Sequence, residues 1–317
     1  MAYKELDVLL CKTQAAIGTA QASLTNTDFL TVGNGFGLDF AQEIVPVEMT
    51  AGIFGQTSPV PGLFRYDAKL SVPIIPTGTS TEPIVGALLK ASGMTVSTST
   101  AKHTYSPSST YASWKDVTLW SYTGDKTSGD CLLSKAHSVM FDWTLTAEVG
   151  QPAMLEFTGM GPSYAIPAAG TYVSGTLTPL AALIPATMKA TTVTIAGQTY
   201  KILKLSVTIG NEIRMLKDPT AACGYYRADI AKRTSKWTAT VYQENLSDLD
   251  PHVELSTPAL TSFSVTWGTA GSRIKVAADT NKAQITSVKN VDEEGIKTFD
   301  LEGAFVDNGF TLVINDD

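Results

Sequence analysis

The side chains able to do chemistry in this chain are few and scattered. Three histidines, His103, His137 and His252, lie far apart, and none falls in the H-E-x-x-H spacing that sets two imidazoles on one helical face around zinc. Three cysteines, Cys11, Cys131 and Cys223, form neither a C-x-x-C pair nor an even disulfide framework. Reduced structural thiols are expected, with no metal or cofactor site. The carboxylates Asp142, Glu148 and Glu156 fall on or between adjacent strand patterns, where two facing acids would suit glycoside cleavage. Asp292, Glu293 and Glu294 stand beside Gly295 and read as a solvated turn. Gly33, Gly35 and Gly37 alternate but lack the G-x-G-x-x-G spacing of a phosphate loop. Trp120, Trp143, Trp237 and Trp267 fall in strand patterns, where core packing is the expected role and a carbohydrate-binding platform the alternative. No set of residues forms a catalytic, cofactor or metal constellation, so the expectation is a protein that is not an enzyme.

Composition narrows the class further. Of the 317 residues only 17% are charged and 44% are hydrophobic, with a mean hydropathy of +0.07. Soluble domains average roughly 25% charged. A β-rich protein whose surface is largely covered by other subunits fits this deficit. The net charge of −7 and pI near 5.0 argue against a grip on nucleic acid, which needs Lys/Arg patches. The opening residues carry Lys4, Glu5 and Asp7 and do not read as a signal peptide. No stretch reaches eighteen consecutive apolar residues, so no membrane span is expected.

The elements that must carry these residues are strands. Residues 64–75 alternate with Phe64, Tyr66, Ala68, Leu70 and Val72 on one face. Pro83 opens the best helix candidate, with Ile84, Leu88 and Ala91 on one face and Gly93 at its end. Residues 95–113 read as an exposed loop or edge strand carrying a solvated His103. Strands follow around Trp120, Trp143, Trp237 and Trp267, a Pro-led helix or turn at 251–255, and a closing hairpin through Asp307-Asn308-Gly309. Two irregular excursions, at about 44–63 and 213–235, present apolar side chains. Met49, Ile53, Phe54, Tyr225 and Tyr226 are their candidate contacts with a partner.

The pattern occurs twice. Trp120 is followed four residues on by Gly124 and fifteen on by Lys135-Ala136; Trp267 is followed at the same spacings by Gly271 and Lys282-Ala283. Each half reads as excursion, strand, Pro-led helix or turn, Trp strand, Lys-Ala strand and final hairpin, the mark of a duplicated unit. The expected organisation is an N-terminal arm over 1–38, one β domain over 39–165, a linker over 166–190 and a second β domain over 191–317. The fold class is mainly β, two tandem sandwich or barrel domains with short flanking helices.

Four segments carry a family resemblance: Lys12-Thr-Gln-Ala-Ala-Ile-Gly-Thr-Ala20, Glu82-Pro-Ile-Val-Gly-Ala-Leu-Leu-Lys-Ala-Ser-Gly93, Gly150-Gln-Pro-Ala-Met-Leu-Glu-Phe-Thr-Gly159, and Asn281-Lys-Ala-Gln-Ile285 leading to Leu312-Val-Ile-Asn315. In these the chain resembles the major tail tube proteins of bacteriophages with long, non-contractile tails. The resemblance implies a structural protein of the virion tail, in the host cytoplasm before assembly, whose copies form rings stacked helically into a hollow tube. It implies tape-measure, tail-tip and terminator proteins as partners, and DNA passing through the lumen without specific binding. Single-domain relatives close rings of six. Two tandem domains then imply a trimeric ring with pseudo-sixfold symmetry, with a hexamer as the alternative. An adhesion or carbohydrate-binding β-sandwich is the rival from another class.

Overall fold

Alternation of buried and exposed side chains, the signature of strands with one face on a core, runs through nearly every segment of the computed structural model. The structure describes residues 8–316 apart from 16, 22, 26–27, 31, 33–35, 46–59, 125–130, 171–184, 190, 244–250, 257–258, 270 and 294. The first half comprises β1 (Val8–Thr13), β2 (Phe29–Leu30), β3 (Gly37–Val45), β4 (Val60–Pro73), helix α1 (Gly86–Ala91), β5 (Met94–Ser99), β6 (Lys102–Pro107), β7 (Val117–Gly124), β8 (Cys131–Glu148) and β9 (Met154–Gly170). The second comprises β10 (Thr192–Ile195), β11 (Gln198–Thr199), β12 (Ile202–Thr208), β13 (Asn211–Lys217), β14 (Tyr225–Arg233), β15 (Lys236–Tyr242), helix α2 (Pro251–Ser256), β16 (Thr261–Trp267), β17 (Arg273–Glu293), β18 (Ile296–Phe305) and β19 (Phe310–Asp316). The fold is mainly β.

One antiparallel pairing order occurs in both halves. In the first it runs β2–β1–β7–β8–β9–β4–β3. In the second it runs β11–β10–β16–β17–β18–β15–β12. Pairing of β12 with β8 joins the two into one 17-stranded sheet, while β13 and β14 form a separate two-stranded sheet. The match extends to register. In the β3–β4 hairpin Gln42 faces Phe64 and Ile44 faces Pro61; in the β13–β14 hairpin Asn211 faces Arg233 and Ile213 faces Ile230. Each residue of the second set is the first plus 169, and the same one-residue slip falls at the same place. Likewise Leu155-Glu156-Phe157-Thr158-Gly159 of β9 corresponds to Phe299-Asp300-Leu301-Glu302-Gly303 of β18. Both glycines lie so close to a backbone carbonyl of the paired strand, Met140 for Gly159 and Gln284 for Gly303, that neither has room for a methyl group.

The core lies under this shared sheet. Tyr66, Ala68, Leu70 and Val72 of β4 and Trp237, Ala239 and Val241 of β15 all point into one hydrophobic cluster, together with Trp143, Phe157, Phe263 and Trp267. The opposite side of the same strands carries Lys69, Thr144, Glu156, Thr238 and Asp300. Helix α1 begins at Gly86, buries Leu88 and ends at Ala91, with Gly93 at φ +73° just beyond it, while Ile84 stays exposed before it.

Several expectations are corrected. Residues 210–235 are a regular hairpin rather than an irregular excursion, because Ile213, Met215 and Ile230 find apolar partners on the first half. Residues 95–107 form the β5–β6 hairpin, and His103 is buried rather than solvated, with Nδ1 3.2 Å from Thr98 Oγ1 and Nε2 3.3 Å from the Thr79 carbonyl. The Asp307 turn does not close a hairpin. Strand β17, 21 residues long, pairs β18 along one part and β19 along another, and Asp307 at φ 54° carries the chain from one to the other. Segment 1–38 supplies β1, whose Leu9 and Leu10 are buried, and residues 166–170 are the end of β9. The tryptophan spacing marks unlike places. Trp120 faces Lys135 across β7–β8, whereas Trp267 faces Ile274 at the end of its hairpin.

Candidate assembly surfaces

Two sheets meet where β12 lies antiparallel along the end of β8. Lys204 faces Glu148, Ser206 faces Thr146 and Thr208 faces Thr144. Backbone bonds run from Val149 N–H to the Leu203 carbonyl (3.0 Å) and from Ile209 N–H to the Trp143 carbonyl (3.1 Å). Thr208 and Thr144 therefore form a non-hydrogen-bonded pair, the closer of the two antiparallel arrangements, and their hydroxyls meet at 3.0 Å. The chain then turns at Gly210, where φ of +69° and the Thr234 carbonyl exclude a side chain. That turn lays β13–β14 across β8 and β9, with Ile213, Met215, Ala228 and Ile230 around Met140.

A polar latch fixes the hairpin. Buried Asn211 donates from Nδ2 to the Ser92 and Phe141 carbonyls, both at 2.9 Å, and accepts from Arg233 Nε at 2.8 Å. Arg233 also donates to the carbonyls of Ser92 (3.0 Å), Gly93 (3.2 Å) and Ser108 (3.2 Å). A cation thereby sits at the C-terminal end of α1, where unsatisfied carbonyls and the helix dipole favour positive charge. Burial lowers the Arg233 guanidinium to about 10, an effect opposed by nearby Asp142. Burial raises the Asp142 carboxyl, opposed by hydrogen bonds that include the Asn211 N–H at 2.7 Å.

The three carboxylates lie at different places on the sheet. Asp142 lies opposite Thr158, Glu156 opposite Thr144, and Glu148 opposite Lys204. Asp142 holds the hairpin, and Glu148 and Glu156 stand exposed on the open sheet face. The four tryptophans are buried, with Lys135 Nζ 4.3 Å above the Trp120 ring. All three cysteines are buried and none is in a disulfide, and burial followed by the neighbouring Asp28 pushes the Cys11 thiol up to about 12. Among the described residues no cluster of His, Cys, Asp and Glu is arranged to hold a metal, and no helix is long and apolar enough to cross a membrane.

Of the predicted contact residues, Tyr226 is exposed on β14 and Tyr225 beside it is buried. Met49, Ile53 and Phe54 lie outside the described residues. Sequence reasoning passed over Ile44 and Val45, which are 65% and 44% exposed on β3. Their signal was available in Gln42-Glu43-Ile44, which matches Asn211-Glu212-Ile213.

Residues 8–302 match the family model described as phage tail tube protein. The chain belongs to the phage tail tube protein family. No curated protein matches it. Tail tube proteins are structural components of the virion tail rather than an enzyme class, and their copies assemble with one another.

Proposed function

We propose that the chain closes rings of three copies, each copy contributing two tandem tail-tube-like domains, and that stacked rings form the conduit through which DNA reaches the host. The observation that carries this reading is the pairing order that occurs twice, with the second unit's β12 seated on the first unit's β8 and the first unit's β3 paired, among the described residues, with β4 alone. A head-to-tail contact that repeats generates a ring when its rotation closes, and six such units need three chains. Mass measurement of an isolated ring tests this: three chains per ring are expected, and six would replace the trimer with the hexamer.

The polar face of the shared sheet suits the lumen. Lys289 pairs there with Glu302 at 2.6 Å and Thr240 with Asp300 at 2.7 Å, and exposed Glu148 and Glu156 interrupt any basic track. Phosphates gain affinity by neutralisation on Lys/Arg, so a surface of hydroxyls and balanced charge lets a duplex slide. Replacing Glu148 and Glu156 by lysine is expected to slow DNA ejection; unchanged ejection overturns the lumen assignment. Residues 46–59 and the N-terminal segment join one ring to the next, with tape-measure, tail-tip and terminator proteins setting length. Tubes of normal length after deletion of residues 46–59 would refute that role.

A further inference from the structure

The junction inside the chain specifies a second junction between chains. Strand β12 corresponds to β3 and β15 to β4 at an offset of 169, while β18 corresponds to β9 at an offset of 144. The paired strand β17 corresponds to β8 at 144, and at 145 beyond its bulge between Ile285 and Ser287. In the chain the end of β8 is covered by β12. The equivalent end of β17, residues 289–292, pairs with β18 on one side, and among the described residues no strand pairs with its other side. The outer edge of β3 is open in the same way. Such edges invite pairing with another chain.

We infer that β3 of one copy pairs antiparallel with β17 of a second copy, in the register that β12 takes on β8. This rests on the tail tube reading above. Carrying Thr208↔Thr144, Val207↔Leu145 and Ser206↔Thr146 across the two offsets gives Asp39↔Lys289, Leu38↔Asn290 and Gly37↔Val291. No charge enters that derivation, yet it sets an exposed acid opposite an exposed lysine, in the close non-hydrogen-bonded position that Thr208 and Thr144 occupy. A one-residue slip would turn the β3 side chains to the other face.

Burial differences between equivalent residues say the same. Asn211 is buried in the latch and Ile213 is half-buried against Met140, while their counterparts Gln42 and Ile44 are exposed. The β3–β4 tip is shaped like β13–β14 and lacks the surface that β13–β14 lies on. That surface is β17–β18 of the next copy, and Gln42 there meets the Ile285 carbonyl, the counterpart of Phe141.

A disulfide reads the register directly. Facing residues of a non-hydrogen-bonded pair lie about 4.5 Å apart between Cα atoms, within the range a disulfide spans, and both positions are exposed, so folding is undisturbed. The variant carrying D39C and K289C, oxidised in preformed rings or tubes, is expected to yield chains covalently joined to their neighbours in most of the material. Each single variant and the out-of-register pair D39C with V291C are expected to yield at least tenfold less. Wild-type rings seen by electron microscopy, with cross-linking of D39C/K289C no better than the single variants, would overturn the pairing and leave the ring intact. Wild-type protein that forms neither rings nor tubes would instead overturn the reading on which it rests.

Discussion

Replacing Asn211 by alanine removes three hydrogen bonds at once and isolates their effect on one hairpin. Two are Nδ2–H donations to carbonyls, each contributing about 0.5–1.5 kcal/mol, and the third joins Oδ1 to a guanidinium and contributes about 1.5–3 kcal/mol. The Ser92 carbonyl keeps Arg233 Nη2 at 3.0 Å. The buried Phe141 carbonyl and Arg233 Nε lose the Asn211 side chain, and the cost of a stranded donor adds to the loss. The combined effect is about 3–6 kcal/mol. Because the latch holds β13–β14 to the first half, this loss falls first on opening of the hairpin and only then on global unfolding. Native-state hydrogen exchange is therefore the assay. Amides of β13–β14 are expected to exchange at least 100-fold faster in N211A, at about 1.36 kcal/mol for each factor of ten, while those of β7–β8 change little. The isosteric N211D gives no rescue, since it sets a carboxylate oxygen against the carbonyls of Ser92 and Phe141. Exchange within fivefold of wild type in N211A would refute the latch as the hairpin's anchor.

Four other outcomes follow from the same geometry. Gly303→Ala meets the Trp237 ring and the Gln284 carbonyl, and Gly159→Ala the Phe141 ring and the Met140 carbonyl; overpacking of this kind costs about 1–3 kcal/mol, seen as a lower urea midpoint at unchanged slope. The native cysteines are expected to resist thiol reagents at pH 8 until the chain is unfolded. Because the Cys11 thiol is raised from 9.0 to about 12 in the fold, the stability it contributes is full below pH 9 and is lost as pH climbs toward 12, a decline that Cys11→Ala should flatten. Ile44→Asp is expected to abolish ring formation, read by sedimentation, while the midpoint of the isolated chain moves little, because Ile44 is 65% exposed there; normal rings from this variant would remove the β3 tip from the interface.

Strands were legible in the sequence wherever one face is buried and the other open. Trp237, Ala239 and Val241 alternate with Lys236, Thr238 and Thr240, and that period is sufficient to mark β15. The β13–β14 hairpin was not legible, because what organises it is Met140 of the first half and the α1 carbonyls held by Arg233, neither of which has any local signal. His103 looked solvated among serines and threonines because only the approach of β19 to β6 buries it, more than 200 residues later in the chain. The tryptophan spacing pointed to a duplication through residues that occupy unlike places. The equivalence that the geometry does display runs through Gln42-Glu43-Ile44 and Asn211-Glu212-Ile213, and through Gly159 and Gly303, whose role as gaps for a carbonyl no spacing motif encodes.

Those two sets of residues also explain why one half of the chain finishes its surface and the other does not. A glycine facing a carbonyl is required in both units, since both bring the same two strands together inside one chain, and it is present in both. The latch position carries an amide in both units, Gln42 in the first and Asn211 in the second. Asn211 is buried among its partners, whereas Gln42 is exposed, because among the described residues only the second unit has a neighbour on that side. An exposed Gln42, an exposed Ile44 and a β3 edge without a described partner strand are what the proposed tandem pair would leave at one end when its units join head to tail, with the stretch of β17 that no described strand pairs at the other. A chain built to remain alone would close such edges with charge, proline or a covering loop; this one offers Asp39 at one end and Lys289 at the other. In the proposed ring, opposite charges at the two ends of one repeating contact favour the next copy over either end meeting its own kind, and so favour growth in one direction until the ring closes.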